Sequence, residues 1–514
     1  MKKFLALLIA LMCAFPFALA KEADPLCVPG EAFTPVSQLH VDMHLEDFSA
    51  FVAEDSSLRF RGTMQANEPL LRVEAKCYDL RTLELFGEYT WTAPEGEEDV
   101  YSLDLYPMRR ALFPQRRASE YRVVITAHSA YGSCTAFDQR IFIAGELVAP
   151  ANMNADCVFD CAEDRIWVWS DGRDWSGWGN EEGEESMTVT LPQGRAAEGI
   201  SINWQIMPSY ARIASFDSSG SLCSEILIDD TTFTPLHAWY PLPEKAASFT
   251  VSIPENDGFI SELLVVEQEK RADSVQIWRE TADKWDLMLV STHQDDEHLF
   301  FGGMIPHTVA QGKEIGLVYM VNCGRERYSE ALNGLWAAGM DNYPVFIGMR
   351  DGIIDSKSAA YKYWGGEDPV VQALVEQIRR YKPEVVLTHD FEGEYDNNQH
   401  KVVAECTAKA VELAADPAYH PASAQEYGVW QAKKLYIHLY EENEINFDWD
   451  QSIEGFGSLT GYDISRIAYS FHRSQQRWVR YSLGLSHDPY RFGLYYTAVG
   501  PDTRNGDLFQ NIAP

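Results

Sequence analysis

The stretch WDLMLVSTHQDDEHLFFGG, residues 285–303, decides the fold of the C-terminal part of the chain. Its apolar run at 287–290 is typical of a short buried strand, and His293, Asp295 and Asp296 follow that run within a few positions. In open α/β sheets, ligand sites lie at the carboxyl ends of strands. A histidine and two acids at such a point indicate either a metal site with a carboxylate base beside it, or a helix start that the acids cap.

The spacing of these three residues is compatible with metal chemistry. His293 and Asp296 are three residues apart and face one point if a helical turn has begun. Asp295 then points elsewhere and is free to act on a metal-bound water. Capping accounts for one aspartate but not for the adjacent histidine or the glycine pair 302–303. Spacing alone leaves both interpretations open.

Strands and helices are expected to alternate from residue 283 onward. The apolar patterning predicts buried strands at 315–321, 344–349, 384–388 and 435–439, and helices at 328–339, 370–381 and 401–415. This alternation predicts a parallel, Rossmann-like sheet. His293 and His400 then both lie just beyond strand ends, where they can share a metal. The chain has no GxGxxG or P-loop motif, so a nucleotide is not expected on this sheet.

The segment HQDDE at 293–297 resembles the HPDDE signature of the PIG-L-type (LmbE-like) zinc N-deacetylases, with Gln294 in place of proline. Further short motifs follow in the family's order and extend the resemblance over residues 281–514. They are GG at 302–303, NCG at 322–324, RYSE at 327–330, THD at 388–390, GEY at 393–395, QHK at 399–401 and HRSQ at 472–475.

The resemblance implies which residues carry the chemistry. It makes His293, Asp296 and His400 zinc ligands and Asp295 the general base, and it implies hydrolysis of an N-acetyl group. Two histidines and one carboxylate leave a fourth zinc position for water.

Substrate contacts are expected from residues around the second strand end. Arg327 and Asn322 are the expected contacts, with Arg325 as a further candidate. Both arginines have an alternative, an ion pair with Glu330 or Glu326 at the start of the next helix.

One position departs from the family pattern. Members carry HxxH where this chain has Asn397, and an asparagine amide donates to an oxyanion but cannot supply a proton. Tyr395 is retained as a candidate donor. His389 and His438 are the other candidates for the missing histidine's role, although histidines at strand ends are commonly hydrogen-bonded to the backbone. A slower enzyme is expected rather than an inactive one.

The N-terminus predicts export. Residues 1–20 read as a signal peptide, with a basic start, an apolar run and an AxA-type cleavage site at 18–20. The mature chain is expected to be secreted and soluble, and no other stretch suggests a membrane span.

The cysteines suggest disulfides. Nine are present, of which Cys13 lies in the leader, and the even remainder favours disulfides in an exported protein. A bridge between Cys157 and Cys161 is preferred over half a zinc site. Cys323 and Cys406 are expected to be buried apolar groups.

The net charge of the chain limits the classes of molecule that it is expected to bind. The chain has 77 acidic and 42 basic residues, a formal charge of -35 and a pI near 4.7. Such a surface argues against nucleic acid and anionic membranes as partners. It also disfavours a strongly acidic substrate.

Two β-rich regions precede the α/β region. Residues 21–149 show short alternating stretches that predict an Ig-like β-sandwich spacer domain. Residues 150–275 predict a second β-sandwich, and the segment 169–178 resembles the opening of discoidin-like (galactose-binding-like) domains. That resemblance implies a possible Ca²⁺ in the first acidic loop. Four tryptophans form a candidate sugar platform of which at least half should be core, namely Trp167, Trp169, Trp175 and Trp178.

The fold class expected is therefore multidomain, with two β-sandwiches followed by an α/β catalytic domain at 281–514. The leading functional hypothesis is an exported zinc deacetylase acting on N-acetylglucosamine-containing sugars or glycans. A non-catalytic carbohydrate-binding or cell-surface adhesion protein is the alternative that Asn397 keeps open. Hydrolysis of a non-sugar amide or ester is a third.

Overall fold

The structure is a computed structural model of the 514-residue chain. It describes residues 42–52, 58–79, 84–94, 96, 99–105, 119–143, 152–161, 166–170, 176–179, 186–254, 257–271, 275–456, 459–475, 479, 487 and 489–512. The predicted signal peptide, Cys27, and the 171–175 loop with its proposed Ca²⁺ lie outside these residues, as does the side chain of Trp167.

The described chain contains strands throughout and helices only in its C-terminal part. The strands are β1 Met43–Val52, β2 Leu58–Ala66, β3 Leu70–Asp79, β4 Glu84–Thr92, β5 Ser102–Asp104, β6 Ser119–Ser129, β7 Gly132–Ile143, β8 Val158–Asp160, β9 Trp178–Gly179, β10 Ser186–Thr190, β11 Ala197–Ile206, β12 Ala211–Phe216, β13 Leu222–Ile228, β14 His237–Pro241, β15 Ser248–Ser252, β16 Phe259–Glu267, β17 Leu287–Ser291, β18 Ile315–Asn322, β19 Val345–Arg350, β20 Val385–Thr388, β21 Lys434–His438, β22 Glu444–Asn446 and β23 Arg491–Thr497.

The α-helices are α1 Asp296–Leu299, α2 Met304–Ala310, α3 Arg325–Ala337, α4 Lys357–Tyr363, α5 Glu367–Tyr381, α6 Asn398–Leu413, α7 Pro421–Tyr427 and α8 Gly461–Tyr469. Short 3-10 turns lie at Asn154–Asp156 and Ile166–Ser170.

The chain divides into two compact units. The described residues within 42–49, 59–105 and 119–142 belong to the first unit, and its strands form sheets in the orders β1-β2-β5 and β4-β3-β6-β7. Strand β3 shows the expected alternation, since Val73, Ala75 and Cys77 are fully buried while Arg72 is exposed. Strands β2, β3 and β6 lie in the region where short alternating stretches were expected.

The second unit holds most of the remaining chain and begins with two antiparallel sheets. Their orders are β13-β12-β15-β10-β8 and β14-β11-β16-β9. Residues of both sheets share one hydrophobic core, in which Trp169, Trp178 and Trp204 are almost completely buried. Trp169 and Trp178 are thus core residues, which confirms that half of the tryptophan set serves packing.

A seven-stranded sheet forms the C-terminal part, in the order β19-β18-β17-β20-β21-β23-β22. The first five strands pair in parallel, and β23 and β22 add antiparallel at one edge. Along β17, Leu287 and Leu289 join one core while Met288 and Val290 join another. Both faces of the sheet are therefore covered, which explains why these strands are continuously apolar. The predicted parallel strands and helices are present; β22 and β23 were not predicted.

The expected Cys157–Cys161 bridge is wrong. All seven cysteines in the described residues are free thiols. Strand β8 occupies Val158–Asp160, so the chain between the two cysteines is extended. Residues four apart on a strand are separated by about 13 Å, whereas a disulfide needs Cα atoms within about 7 Å. Cys406 is buried as expected, while Cys323 is only partly buried.

None of the described helices is both long enough and apolar enough to cross a membrane.

Candidate metal centre

The turn between β17 and α1 brings Asp295 into an unusual conformation. Asp295 occupies the N-cap position of α1, yet its side chain makes no capping hydrogen bond. The capping interpretation is therefore wrong for this residue. Its φ is 139°, a value that residues with side chains rarely adopt and that marks a constrained position. The Asp295 N–H donates to Glu297 Oε2 at 2.9 Å, and Arg327 pairs with its carboxylate at 2.9 Å.

His293, Asp296 and His400 converge on one point, as the resemblance implied. His293 Nδ1 lies 3.0 Å from Asp296 Oδ2, and His400 Nε2 lies 3.2 Å from the same oxygen. The two ring nitrogens are 3.1 Å apart. Ligands of tetrahedral zinc, bound at about 2.0–2.1 Å, are separated by roughly 3.3 Å. We name these three residues the His293 cluster.

A buried carboxylate, Glu394, contacts the ring nitrogen of His400 that does not face Asp296. Glu394 Oε2 lies 2.6 Å from His400 Nδ1, and its Oε1 lies 3.1 Å from His389 Nδ1 and 3.0 Å from His438 Nδ1. All four side chains are fully buried. A carboxylate on Nδ1 fixes the proton there and leaves Nε2 of His400 with a lone pair for a metal. The sequence pointed to Glu394 only as part of a motif, and its contact with three histidines was missed.

His389 and His438 consequently do not replace the missing family histidine in the cavity. His389 Nε2 accepts a hydrogen bond from the Thr292 N–H at 2.9 Å, so both of its ring nitrogens are engaged. Neither histidine is among the residues that line the cavity described below. The expected backbone contact of a strand-end histidine is present at His389.

The second ring nitrogen of His293, Nε2, contacts polar groups that the sequence did not identify as site residues. His293 Nε2 lies 3.4 Å from Asp351 Oδ1 and 3.3 Å from the Gln399 side-chain amide. Asp351 directly follows β19. Its position just beyond a parallel strand end is the signal that could have identified it.

The two adjacent aspartates have opposite electrostatic environments. Burial raises the pKa of Asp295, and the Arg327 guanidinium only partly opposes this effect. Burial also disfavours ionisation of Asp296, but His400 and His293 outweigh it and hold the Asp296 pKa well below its ordinary value. Asp296 is thus suited to remain an ionised ligand, while Asp295 is suited to exchange a proton near neutral pH.

The His293 cluster faces an open cavity of about 560 Å³. Its wall combines the cluster with polar residues of the α6 start and an apolar group. The lining residues are His293, Asp295, Asp296, Leu299, Arg327, Asp351, Gly352, Ile353, Ile354, Tyr395, Asp396, Asn397, Asn398, Gln399, Gln475 and Val479.

Asn397 has a structural task that explains its identity. It is the N-cap of α6, and its side-chain oxygen accepts from the backbone N–H of Gln399 at 2.9 Å and of His400 at 3.4 Å. Its amide nitrogen donates to the Tyr395 hydroxyl at 3.0 Å. Because the Tyr395 oxygen accepts this bond, its own proton can point to another acceptor. The Tyr395 side chain is half exposed, and partial desolvation of its hydroxyl, together with the nearby Asp296 carboxylate, raises its pKa, so the hydroxyl stays protonated.

The residues expected to contact substrate are placed differently from one another. Arg327 lines the cavity, where it pairs with Asp295 and donates to the Gln294 carbonyl rather than to Glu326 or Glu330. Asn322 is exposed, and its side-chain oxygen accepts from the Gly324 N–H at 2.9 Å. Neither Asn322 nor Arg325 is among the cavity-lining residues.

Comparison with known proteins identifies the segment that carries the site. Residues 288–411 match the family described as PIG-L: GlcNAc-PI de-N-acetylase. The chain is 27% identical over 206 residues to a 1D-myo-inositol 2-acetamido-2-deoxy-alpha-D-glucopyranoside deacetylase of Catenulispora acidiphila, covering 34% of this chain and 62% of the relative. It is 31% identical over 194 residues to the Rhodococcus erythropolis deacetylase of the same name, covering 32% and 64%.

The match therefore spans less than two thirds of either relative's length. Among solved structures, the chain is similar to the N,N'-diacetylchitobiose deacetylase from Pyrococcus horikoshii. Identity there is 16% and the TM-score 0.29, with 36% of this chain and 70% of that chain covered.

Proposed function

We propose that this protein is a zinc-dependent deacetylase that removes N-acetyl groups from N-acetylglucosamine-containing sugars, because residues 288–411 match the PIG-L family. The observation that carries the proposal is the convergence of His293, Asp296 and His400 beside Asp295 at the wall of an open cavity. Named relatives that act on an acetamido sugar support the same substrate class.

The donor set fits zinc. Two imidazole nitrogens and one carboxylate oxygen, each 3.0–3.2 Å from the next, are zinc ligands at ligand-to-ligand spacing. Bound zinc would lower the pKa of a coordinated water to about 7 and polarise the acetyl carbonyl. Asp351 and Glu394 would orient the two histidines from behind, and such contacts raise ligand basicity.

Asp295 is the proposed proton carrier. It takes a proton from the attacking water, whose oxygen forms a bond to the acetyl carbon. The C–N bond then breaks, the same proton passes from Asp295 to the departing amine, and acetate is released. Arg327 holds the carboxylate in place at 2.9 Å, and burial raises the Asp295 pKa towards the range that proton transfer in both directions requires.

Tyr395 is the proposed donor to the acetyl oxygen as negative charge develops there. Its hydroxyl lies at the cavity wall, is held by the Asn397 amide and keeps its proton. Fixed donors of this type contribute through electrostatic stabilisation of the transition state. In this arrangement Asn397 supports the donor instead of replacing the family histidine as an acid.

The substrate class is tested by acetate release from a panel incubated with the zinc-loaded protein. The panel contains N-acetylglucosamine glycosides and oligomers, N-acetylated amino acids, and O-acetyl esters. We expect release from the N-acetylglucosamine compounds only. Release from the amino acids or esters alone would contradict the sugar assignment and favour the non-sugar hydrolase. Silence across the panel in protein that binds no zinc would favour the non-catalytic carbohydrate-binding or adhesion protein.

Further parts of the proposal concern the rest of the chain. We infer that the seven-stranded sheet is Rossmann-like and that the β regions at 21–149 and 150–275 are sandwich domains that contact glycans. The shared core of the two sheets in the second region supports a sandwich. Export through cleavage after residue 20, secretion and a Ca²⁺ in the second region remain predictions. Secretion is checked by locating the protein in culture medium and sequencing its N-terminus.

A further inference from the structure

A second group of side chains of metal-ligating type lies close to Asp295 but outside the cavity wall. Glu297 and His298 belong to α1, and His472 follows α8. All three side chains are buried to 1% exposure or less. None of them lines the cavity. We name these residues the His472 cluster.

The atoms of the His472 cluster are spaced like metal ligands. Glu297 Oε1 lies 3.3 Å from His298 Nε2 and 3.4 Å from His472 Nε2. These separations match the roughly 3.3 Å edge of a zinc coordination tetrahedron. They also resemble the 3.0–3.2 Å separations of the His293 cluster.

Hydrogen bonding leaves the cluster incompletely explained. Within the described part of the chain, neither Glu297 Oε1 nor His298 Nε2 makes a hydrogen bond of acceptable geometry, and the Tyr319 hydroxyl interacts with the Glu297 carboxyl without meeting that geometry. Buried polar atoms in that condition are uncommon in folded proteins and frequently indicate a bound ion or water. The other carboxylate oxygen, Oε2, accepts from the Asp295 N–H.

A glycine provides the space beside these nitrogens. Gly334 of α3 faces the cluster, and a Cβ atom built on it would lie 2.8 Å from His298 Nε2 and 3.2 Å from His472 Nε2. Any side chain at this position would therefore crowd both donor atoms. The gap at Gly334 lies where two imidazole nitrogens meet a carboxylate.

We propose that Glu297, His298 and His472 bind a second, structural zinc ion. Two imidazole nitrogens and a carboxylate oxygen are donors that zinc binds, and the burial of all three side chains favours a structural ion over a catalytic one. The ion would fix Glu297, whose Oε2 holds the backbone of Asp295 at its unusual φ of 139°. The proposal does not rest on the deacetylase assignment, since it concerns metal content and not turnover.

The test counts zinc ions per folded chain by native mass spectrometry and elemental analysis. We expect two ions in the wild type, one in His293→Ala, one in His472→Gln and none in the double variant. His237→Gln is the matched control, because His237 is also a fully buried histidine but belongs to neither cluster, and it should keep two ions.

Two results would overturn the proposal. One is a single ion in the wild-type chain together with none in His293→Ala. The other is two ions in His472→Gln. If variants at position 472 do not fold, a zinc-edge anomalous map of the wild-type protein decides the question, with a peak between Glu297, His298 and His472 expected and its absence contradicting the assignment.

Discussion

Two clusters of the same composition lie close to Asp295, and they differ in access to solvent. Each contains two histidines and one carboxylate, with the carboxylate oxygen 3.0–3.4 Å from both imidazole nitrogens. The His293 side chain is 12% exposed and lines the cavity, whereas the His472 cluster is sealed between α1, α3 and the end of α8. Catalytic zinc needs an open position and structural zinc does not. The two clusters therefore differ in solvent access and not in ligand type, and this difference is the reason for assigning catalysis to the His293 cluster and a structural role to the His472 cluster.

The chain between the clusters shows how one short segment serves both. His293, Asp296, Glu297 and His298 lie within six consecutive residues and divide between the two groups. The division between the two groups falls between Asp296 and Glu297, in the first turn of α1. Substitutions in this segment can therefore distinguish the catalytic role of the His293 cluster from the structural role of the His472 cluster.

The largest effect is expected from Asp295→Asn. This change removes the proton carrier but none of the six cluster residues, so acetate release should fall by about 10²–10⁴-fold while bound zinc is unchanged. The measurement pairs kcat with zinc content. Asp296→Asn is the matched control, because it changes a ligand and should lose zinc as well as activity. Loss of zinc in Asp295→Asn would show that Asp295 is itself a ligand.

A smaller effect is expected from a substitution of Glu394, the buried carboxylate that contacts His400 of the His293 cluster. Glu394→Gln replaces a carboxylate that contacts three histidine nitrogens with a neutral amide. Zinc affinity at the His293 cluster should weaken by about 10–100-fold, as is typical when a ligand's supporting carboxylate is lost. Competition with a chelator measures this affinity. Glu392→Gln alters an exposed acid nearby and should leave it unchanged; equal weakening in both variants would point to general charge loss instead.

Asn397→Asp separates the cap from the support of Tyr395. Aspartate is as good an N-cap as asparagine, so the melting temperature should hold. The new carboxylate would accept the Tyr395 proton that the amide now leaves available, and kcat should fall about tenfold with little change in KM. Asn397→Ala, which loses the cap, should in addition destabilise the fold by about 1 kcal/mol. An unchanged kcat in Asn397→Asp would remove Tyr395 from the proposed mechanism.

His237 shows what burial does to a histidine outside both clusters. Its ring nitrogens lie 2.9 Å from Gln276 and from Ser329, and burial lowers its pKa from 6.5 to about 4. Between these values the unfolded chain binds a proton that the folded chain does not. The free energy of unfolding therefore increases as the pH rises through this window and decreases as the pH falls. The slope is at most about 1.4 kcal/mol per pH unit. Denaturant titrations from pH 7 to 4 should show a shallower slope for His237→Gln. An identical slope would contradict the buried, neutral assignment.

Much of this architecture follows from local sequence pattern. Continuous apolar runs identified β17, β18, β20 and β21, because strands of a parallel sheet are buried on both faces. The candidate ligands His293, Asp296 and His400 were identified from spacing and resemblance, and the structure brings their side chains together. The antiparallel β22 and β23 were missed because they are an addition to the sheet edge that no alternation with helices marks.

The remaining features depend on contacts between distant residues. Glu394 meets His438, 44 positions later, and Glu297 meets His472 across the fold, so neither pairing leaves a local pattern. Arg327 was expected to contact substrate, yet it forms an ion pair with Asp295, 32 residues earlier. Asn397 read as a lost catalytic group because its capping role becomes visible only once α6 has a defined start.

The most direct test of the zinc deacetylase assignment is acetate release from an N-acetylglucosamine glycoside before and after metal removal. The protein is stripped with a chelator, assayed, and assayed again after zinc is returned. The account predicts that release stops in the metal-free protein and recovers with zinc. Release that continues in protein shown to hold no metal would contradict the account, as would silence in fully zinc-loaded protein.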